Sequence, residues 1–144
     1  MMPSIDDARA KLNSLEQKPP DTVTGWSASE ILQHCAQSVE MSMQGFPAMR
    51  GILVRAVFGP MVKRKFLRAG AMKHDLGAPI PGAPPLDRGV PLADAISRLR
   101  ASFDAFQGFK GELRPHFAYG AVPHEEYAQL HAMHVLEHLQ ALGY

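Results

Sequence analysis

The segment HAMHVLEH, residues 131–138, places three histidines on one face of a predicted C-terminal helix. Residues four apart on an α-helix share a face, so His134 and His138 diverge by only about 40°, and His131 lies about 60° from His134. Tyr127 and Leu130 fall on the same side, so the imidazoles belong to the apolar face. Burying an imidazole is costly unless it finds a hydrogen-bond partner or a metal. Of these two explanations, metal binding makes the more specific prediction. One helix rarely supplies a whole site, so further ligands must come from another element.

The whole chain predicts an all-α protein. Caps, prolines and glycines bound helical patterns, and no segment alternates with period two. The first predicted helix runs from an N-cap at Ser4 to about Lys18, and the second from a capping box at Ser27 to Gly45. The third covers 48–69, with a kink or break at Gly59-Pro60. The last two run from Pro91 to about Gly108 and from Pro123 to Leu142. The segment DTVTGW is a connector. Four main helices and an extra one indicate a helical bundle.

Residues 70–90 are too rich in proline for a helix or a central strand. A connection of about 20 residues is longer than most loops in compact domains, which suggests a packing or functional role. Prolines alternate with apolar residues here, which favours a docked strap. Its Leu76, Ile80 and Leu86 are expected to rest on the bundle or on a second subunit, near the mouth of the histidine pocket.

Length and composition predict one domain over residues 1–144. The N-terminal MMPSIDDARAKL has no signal-like pattern and no apolar run is long enough to span a membrane, so we expect a cytoplasmic protein with no membrane partner. The lone Cys35 fits a reducing compartment. A net charge of +1 argues against a nucleic-acid partner. The basic cluster Lys63, Arg64, Lys65 and Arg68 can touch a lipid or nucleic-acid surface, but a solvated face is the preferred interpretation.

Neutral imidazole suits zinc, nickel, copper and iron, and three protein ligands leave a position open for water or substrate. Ligands beyond the last helix remain open among His34, His74, His116, His124, Cys35 and the carboxylates. Cys35 lies on the apolar side of its helix, so it is interpreted as a buried hydrophobic residue and not a nucleophile. His134 to His138 also spell HxxEH, but only six residues follow, so we reject the zinc-protease reading of that motif.

Two segments, GWSASEILQHCAQSVEMSMQGFP and HEEYAQLHAMHVLEHLQAL, together with GAPIPGAPP and HFAYG between them, give the chain its resemblance to a known group. In order and spacing they resemble the DinB-like (YfiT-like) superfamily, and more narrowly an uncharacterised branch of it. The resemblance spans residues 20–142. It implies a four-helix bundle of DinB-like type with an extra short helix and a long Pro-rich loop.

The resemblance also implies a site. One histidine of the second helix and two of the last helix, His34, His134 and His138, would bind a divalent metal, with nickel or zinc as the expected ions. His131 would lie beside the ligands or line the pocket. Glu137 and Tyr127, on the same helix, are further candidates for that position, although a solvated or salt-bridged glutamate is the preferred interpretation of Glu137. Glu137 replaces one member of the superfamily's usual His-His pair, and Gln140-Ala141 also departs from the pattern, so the substrate is less well indicated than the ligands.

The predicted function is a metal-dependent enzyme of thiol-transferase type, in which the metal activates water or a low-molecular-weight thiol against a small electrophile. One alternative is a metal- or small-ligand-binding bundle without turnover. Another is a structural homodimerisation bundle whose histidines are simply buried. Because ligating imidazoles must be neutral, metal affinity is expected to fall below about pH 6.5.

Overall fold

The computed structural model describes residues 2–20 and 25–144; residues 21–24 of the predicted connector lie outside the described part. Regular structure in that part is helical, and its only β-bridge is an isolated one between His116 and Gly120. The elements are α1 (Ile5–Gln17), α2 (Ala28–Gln44), a π-helical segment (Val54–Phe58), α3 (Gly59–Ala69), α4 (Leu92–Gln107) and α5 (His124–Ala141). None of these helices is both long and apolar enough to cross a membrane.

Both predicted serine caps are confirmed. The Ser4 hydroxyl accepts from the Asp7 amide at 3.2 Å, and the Asp7 carboxylate accepts from the Ser4 amide at 2.8 Å. Ser27 and Glu30 make the same reciprocal pair at the start of α2. These bonds satisfy helix N-terminal amides that would otherwise lack partners. At the other end of α2, Gly45 takes φ 111°, a conformation that glycine adopts without strain.

The segment predicted as a helix over 48–69 is helical from residue 52 to residue 69, and at Gly59-Pro60, where the sequence predicts a kink or break, the helix changes type without interruption. The Gly59 amide bonds to the Val54 carbonyl, five residues back, and α3 then starts at Gly59 with Pro60 in its first turn. Proline has no amide hydrogen, so it is tolerated at a helix start and not in an interior. A side chain at Gly59 would clash with the Ala118 carbonyl, since a Cβ there would lie 1.8 Å from that oxygen.

Helices α1, α2, α4 and α5 form a closed ring of contacts in which α1 meets α4 and α5, and α2 also meets α4 and α5. Helix α3 lies outside this ring and packs against α5. Apolar side chains from all four ring helices fill the centre, among them Leu12, Leu15, Leu32, Val39, Leu99, Phe103, Phe106 and Leu139. Burial of this apolar surface is the main driving force for the arrangement.

The Pro-rich strap, residues 70–90, docks along α2. Ser29, Gln33 and Gln37 are spaced by four and therefore form one polar stripe on that helix. Their side chains donate to the backbone carbonyls of Val90, Asp87 and Pro84 at 2.7, 2.8 and 3.0 Å. A proline-rich chain has few amide donors but keeps its carbonyls, so side-chain donors are the partners that it needs.

Apolar contacts contribute less to strap docking than the sequence suggested. Ile80 is buried, with 4% of its surface exposed, whereas Leu76 and Leu86 are only half-buried. Arg88 adds an ion pair to Glu30 at 2.9 Å. The strap thus lies on the protein's own helices through polar bonds and one buried side chain.

Candidate metal centre

Four imidazoles meet at the junction of α2, α5 and the strap. His34 comes from α2, His134 and His138 come from α5, and His74 comes from the strap. One nitrogen from each ring can be chosen so that all four atoms lie within 4.8 Å of one another. Such a group could hold a metal ion once the widest pair closes, since nitrogens bound near 2.0–2.1 Å from one ion are at most about 4 Å apart.

The rings are packed closely around this point. Five of the six ring pairs have centroids 4.9 to 5.2 Å apart. The Nε2 atoms of His34 and His134 are 3.1 Å apart. Two imidazole nitrogens at this distance either share one proton or direct both lone pairs at one cation.

Helix packing positions three of these rings. Helix α5 places His134 and His138 one turn apart on the side that faces α2, and α2 presents His34 to them. The Trp26 ring, just before the α2 cap, lies against the His34 ring with centroids 5.0 Å apart. Trp26 therefore helps to fix the orientation of that imidazole.

A carboxylate holds the fourth ring. Glu137 on α5 accepts from the His74 backbone amide at 2.9 Å and makes a very short contact with His74 Nδ1. A proton on Nδ1 leaves a lone pair on Nε2, which is buried without a hydrogen-bond partner. Carboxylate support of this kind commonly fixes the tautomer of metal-binding histidines. Glu137, predicted as a pocket residue, thus acts through His74.

The hydrogen-bond pattern fits a metal. Among the described residues, the buried side-chain atoms without a hydrogen-bond partner are Nδ1 of His34, Nε2 of His74 and Nε2 of His138. A buried polar atom without a partner costs roughly 1–3 kcal/mol, so three in one place call for an explanation. A cation bound by these rings would take the lone pairs of His74 Nε2 and His138 Nε2 and one of the two nitrogens of His34, since one imidazole directs only one lone pair at an ion. An all-imidazole donor set suits zinc, nickel and copper.

Burial also keeps the rings neutral. Burial lowers the pKa of His34 to about 4, and the nearby His74 lowers it further by a smaller amount. Burial likewise lowers the pKa of His138 to about 3, with smaller contributions from His34 and His74. The pKa of His134 lies well below its usual value, for the same main reason. Neutral imidazole is the form that binds metal, so the apolar setting keeps these three rings in a metal-binding form near neutral pH.

His131 and Tyr127 lie next to the cluster and not in it. The Ser42 hydroxyl donates to the Val39 carbonyl at 2.6 Å, so its oxygen accepts from His131 Nε2 at 3.0 Å. Tyr127 stacks on the His131 ring at 5.3 Å and donates to the Arg114 carbonyl at 2.7 Å. Both residues line a cavity beside the cluster, and the Tyr127 hydroxyl and His131 Nε2 have protein partners.

The other open candidates lie elsewhere. His116 Nδ1 accepts from the amides of Ala118 and Tyr119, and His124 Nε2 bonds to the Phe106 carbonyl at 3.1 Å. Cys35 is fully buried in the core, and burial raises the pKa of its thiol. This environment fits the interpretation of Cys35 as a buried hydrophobic residue.

A cavity of about 220 Å³ adjoins three of the four rings. His34, His74 and His134 form one wall, and the strap covers part of the space through Ile80 and its neighbours. The remaining lining is largely apolar or aromatic and comes from the strap, the turn at 116–119 and α5; it includes Met72, Ala78, Pro79, Phe117, Tyr119, Tyr127 and Leu130. The histidine cluster therefore borders a largely apolar space of the kind that small organic ligands occupy.

His74 is the residue that the sequence left unassigned, since it was one of several open candidates. It lies in a loop without periodicity, so no local pattern places it. Glu137 could have indicated that a further residue packs at this site. It lies beside an apolar face that carries histidines, and a carboxylate in such a place needs a hydrogen-bond donor. The polar stripe Ser29, Gln33 and Gln37 was the second missed signal.

Comparison with known proteins gives one family. The family model DUF1569, described as "Protein of unknown function (DUF1569)", matches residues 1–143. Searches of curated proteins and of solved structures gave no match.

Proposed function

The chain belongs to the DUF1569 family of proteins of unknown function, and we propose that it is a metal-dependent enzyme of thiol-transferase type. Its substrates are a low-molecular-weight thiol and a small electrophile. The observation that carries this proposal is the group of unpartnered histidine nitrogens, two of which belong to rings, His34 and His74, that line an apolar cavity. Nickel and zinc are the proposed ions.

We also propose that the ring of α1, α2, α4 and α5 is a four-helix bundle of DinB-like type. The closed ring of contacts, the extra helix and the long strap support that assignment. The histidines of α2 and α5 then occupy the positions that the resemblance implies for ligands. His74 adds a fourth donor from the strap, and a single domain over residues 1–144 accommodates all four.

A divalent metal at this position would lower the pKa of a bound water or thiol and so supply a nucleophile at neutral pH. The chain's own residues provide the setting. The metal would be bound by His34, His134 and His138, while Glu137 would hold the His74 ring in one tautomer. Ile80 and the aromatic lining of the cavity would keep water away from the reacting groups. Exclusion of water strengthens every electrostatic interaction inside the cavity.

A metal-binding protein without turnover is the second candidate, and the fourth histidine favours it. Zinc sites with four protein ligands are usually closed and structural, whereas catalytic ones keep a position open. If all four rings bind one ion tetrahedrally, no position is left for a thiol. The two candidates therefore differ in whether His74 is a permanent ligand.

Cobalt substitution separates these candidates. Protein purified without a His-tag is expected to bind one equivalent of Co²⁺ and to show ligand-field absorption. Addition of glutathione or cysteine is expected to produce a thiolate-to-metal charge-transfer band and to change the ligand-field bands. A Co²⁺ spectrum that does not change when a thiol is added would contradict the enzyme proposal and support a metal site with four protein ligands and no open position.

A screen of thiols and electrophiles with the Ni²⁺ and Zn²⁺ forms then tests turnover. The His134→Ala variant is the negative control, and His124→Ala is the matched control on the same helix, because His124 lies outside the cluster. Turnover that survives in His134→Ala would rule out the proposed centre. Failure of every form to bind metal would leave the buried-histidine bundle as the explanation.

A further inference from the structure

The segment from Met49 to Val62 exposes an unusual amount of apolar surface. Ile52 is 77% exposed, Leu53 61%, Met61 57% and Phe58 54%. The full set, which we call the exposed apolar face, is Met49, Ile52, Leu53, Val57, Phe58, Met61 and Val62. Clusters of large exposed apolar side chains generally mark an interaction site.

Charge is segregated onto the same part of the chain. Seven of the 15 basic residues and none of the 14 acidic residues lie between Glu40 and Asp75. The rest of the chain therefore carries more acidic than basic residues. The net charge of the whole chain is near zero because these two regions offset each other. Since the exposed apolar face lies in the basic region, its partner is expected to be anionic.

The basic side chains of α3 border the exposed apolar face. Lys63 pairs with Glu126 at 2.6 Å, while in the described part of the chain Arg64, Lys65 and Arg68 make no ion pair. Together with Met61 these three line a shallow groove. One surface thus offers apolar side chains for insertion and cations for phosphate groups.

We propose that the exposed apolar face, with the cations of α3, docks this protein on the surface of an anionic phospholipid bilayer. A basic amphipathic helix lies in the bilayer interface with its apolar side among the acyl chains and its cations at the headgroups. This inference departs from the expectation of no membrane partner. It is independent of the metal chemistry.

Charge disfavours the two other occupants. A symmetric pair of copies brings the same patch against itself, so the cations of both segments would meet with no acidic residue of either to pair with. Nucleic acid satisfies the cations but leaves Ile52, Leu53 and Val57 without an apolar partner. Of these three occupants, only an anionic bilayer provides partners for both the apolar side chains and the cations.

Vesicle flotation of the full chain tests the proposal. Wild-type protein is expected to float with vesicles of phosphatidylcholine containing phosphatidylglycerol, and not with phosphatidylcholine alone. Binding is expected to weaken as salt rises, because salt screens surface charge. The triple variant Arg64→Gln, Lys65→Gln, Arg68→Gln is expected to bind roughly 100-fold more weakly, since each basic residue near such a surface contributes roughly a factor of five.

Two further variants keep the test decisive. Phe58→Ser with Met61→Ser changes only exposed side chains and is expected to lose roughly tenfold or more in binding while keeping its helical content. Lys11→Gln, Lys18→Gln, Lys110→Gln matches the charge change on exposed residues outside the segment and is expected to bind like wild type.

Equal loss in both triple variants, or equal binding to neutral vesicles, overturns the proposal. So does binding to duplex DNA without vesicle binding. A wild-type dimer that Phe58→Ser, Met61→Ser dissociates, again without vesicle binding, would make this face an interface between copies.

Discussion

The two halves of the histidine cluster are built in different ways. His134 and His138 share a face of α5 because they are four residues apart, and any helix there would align them. His74 is brought to them by a strap whose position depends on bonds to α2 and on Glu137. The helical half is therefore set by local structure, and the strap half by several tertiary contacts that can be lost separately.

This difference predicts which half opens at the lower free energy. A helix in the ring is held by core packing along its length, whereas the strap is held by single hydrogen bonds and Ile80. Elements with few buried apolar contacts open at lower free energy than core helices. The strap carries one donor and covers the cavity, so its opening would both free a coordination position and admit a substrate.

The largest expected effect comes from the helical half. His134→Ala removes a ring that contacts His34, His74 and His138, so Ni²⁺ and Zn²⁺ affinity should fall more than roughly 100-fold, beyond the range for supporting residues. Isothermal calorimetry on tag-free protein measures the loss. His124→Ala, on the same helix, should bind like wild type; an equal loss there would point to a folding defect.

His74→Ala should cost less, roughly 10–100-fold in affinity, because three helix-borne rings remain. The strap should also become easier to cleave between Gly77 and Asp87, where limited proteolysis of the wild-type protein is expected to be slow. Loss of binding as complete as in His134→Ala would remove the distinction between the two halves. Ready cleavage of the wild-type strap would show that it is not docked.

Glu137→Gln should weaken metal affinity by roughly tenfold, since the amide still accepts a hydrogen bond from His74 but carries no charge. If Glu137 acts only through His74, the double variant His74→Ala, Glu137→Gln should bind no more weakly than His74→Ala alone. A double-mutant cycle measures this coupling. Additive losses would mean that Glu137 supports the site by another route.

His131→Ala should change stability and leave metal affinity unaltered. The substitution leaves the Ser42 hydroxyl without its donor and opens space under Tyr127, at a cost of roughly 1–3 kcal/mol in the free energy of unfolding. Urea unfolding and calorimetry on the same preparation separate the two effects. A large drop in affinity with unchanged stability would place His131 among the ligands.

The smallest expected effect is that of mild acid on metal affinity. Burial lowers the pKa of His34 to about 4, so protons should compete with metal for that ring near pH 4 and not near pH 6.5, the value that an exposed histidine suggests. Metal-free protein should nevertheless lose stability as pH falls from about 6.5 to about 4, because the unfolded chain then binds more protons. Affinity that drops steeply at pH 6 while the fold persists would contradict these shifts.

From sequence alone, the caps at Ser4 and Ser27, the stop at Gly45 and the change at Gly59-Pro60 could be predicted, because each depends on atoms a few residues apart. The all-α class followed from the same signals. The shared face of His134 and His138 was likewise a matter of helix geometry, and the prediction that α2 supplies a facing histidine came from the resemblance.

Only the tertiary structure decided the rest. His74 joins the cluster because Glu137 and the polar stripe of α2 hold the strap, and no periodicity in residues 70–90 encodes that path. His131 turns to Ser42, 89 positions away along the chain, although its helical angle would equally have allowed it to join the cluster. Local patterns are set by backbone geometry within one or two turns, whereas the partner of a buried polar group depends on which segments the collapsed chain brings together.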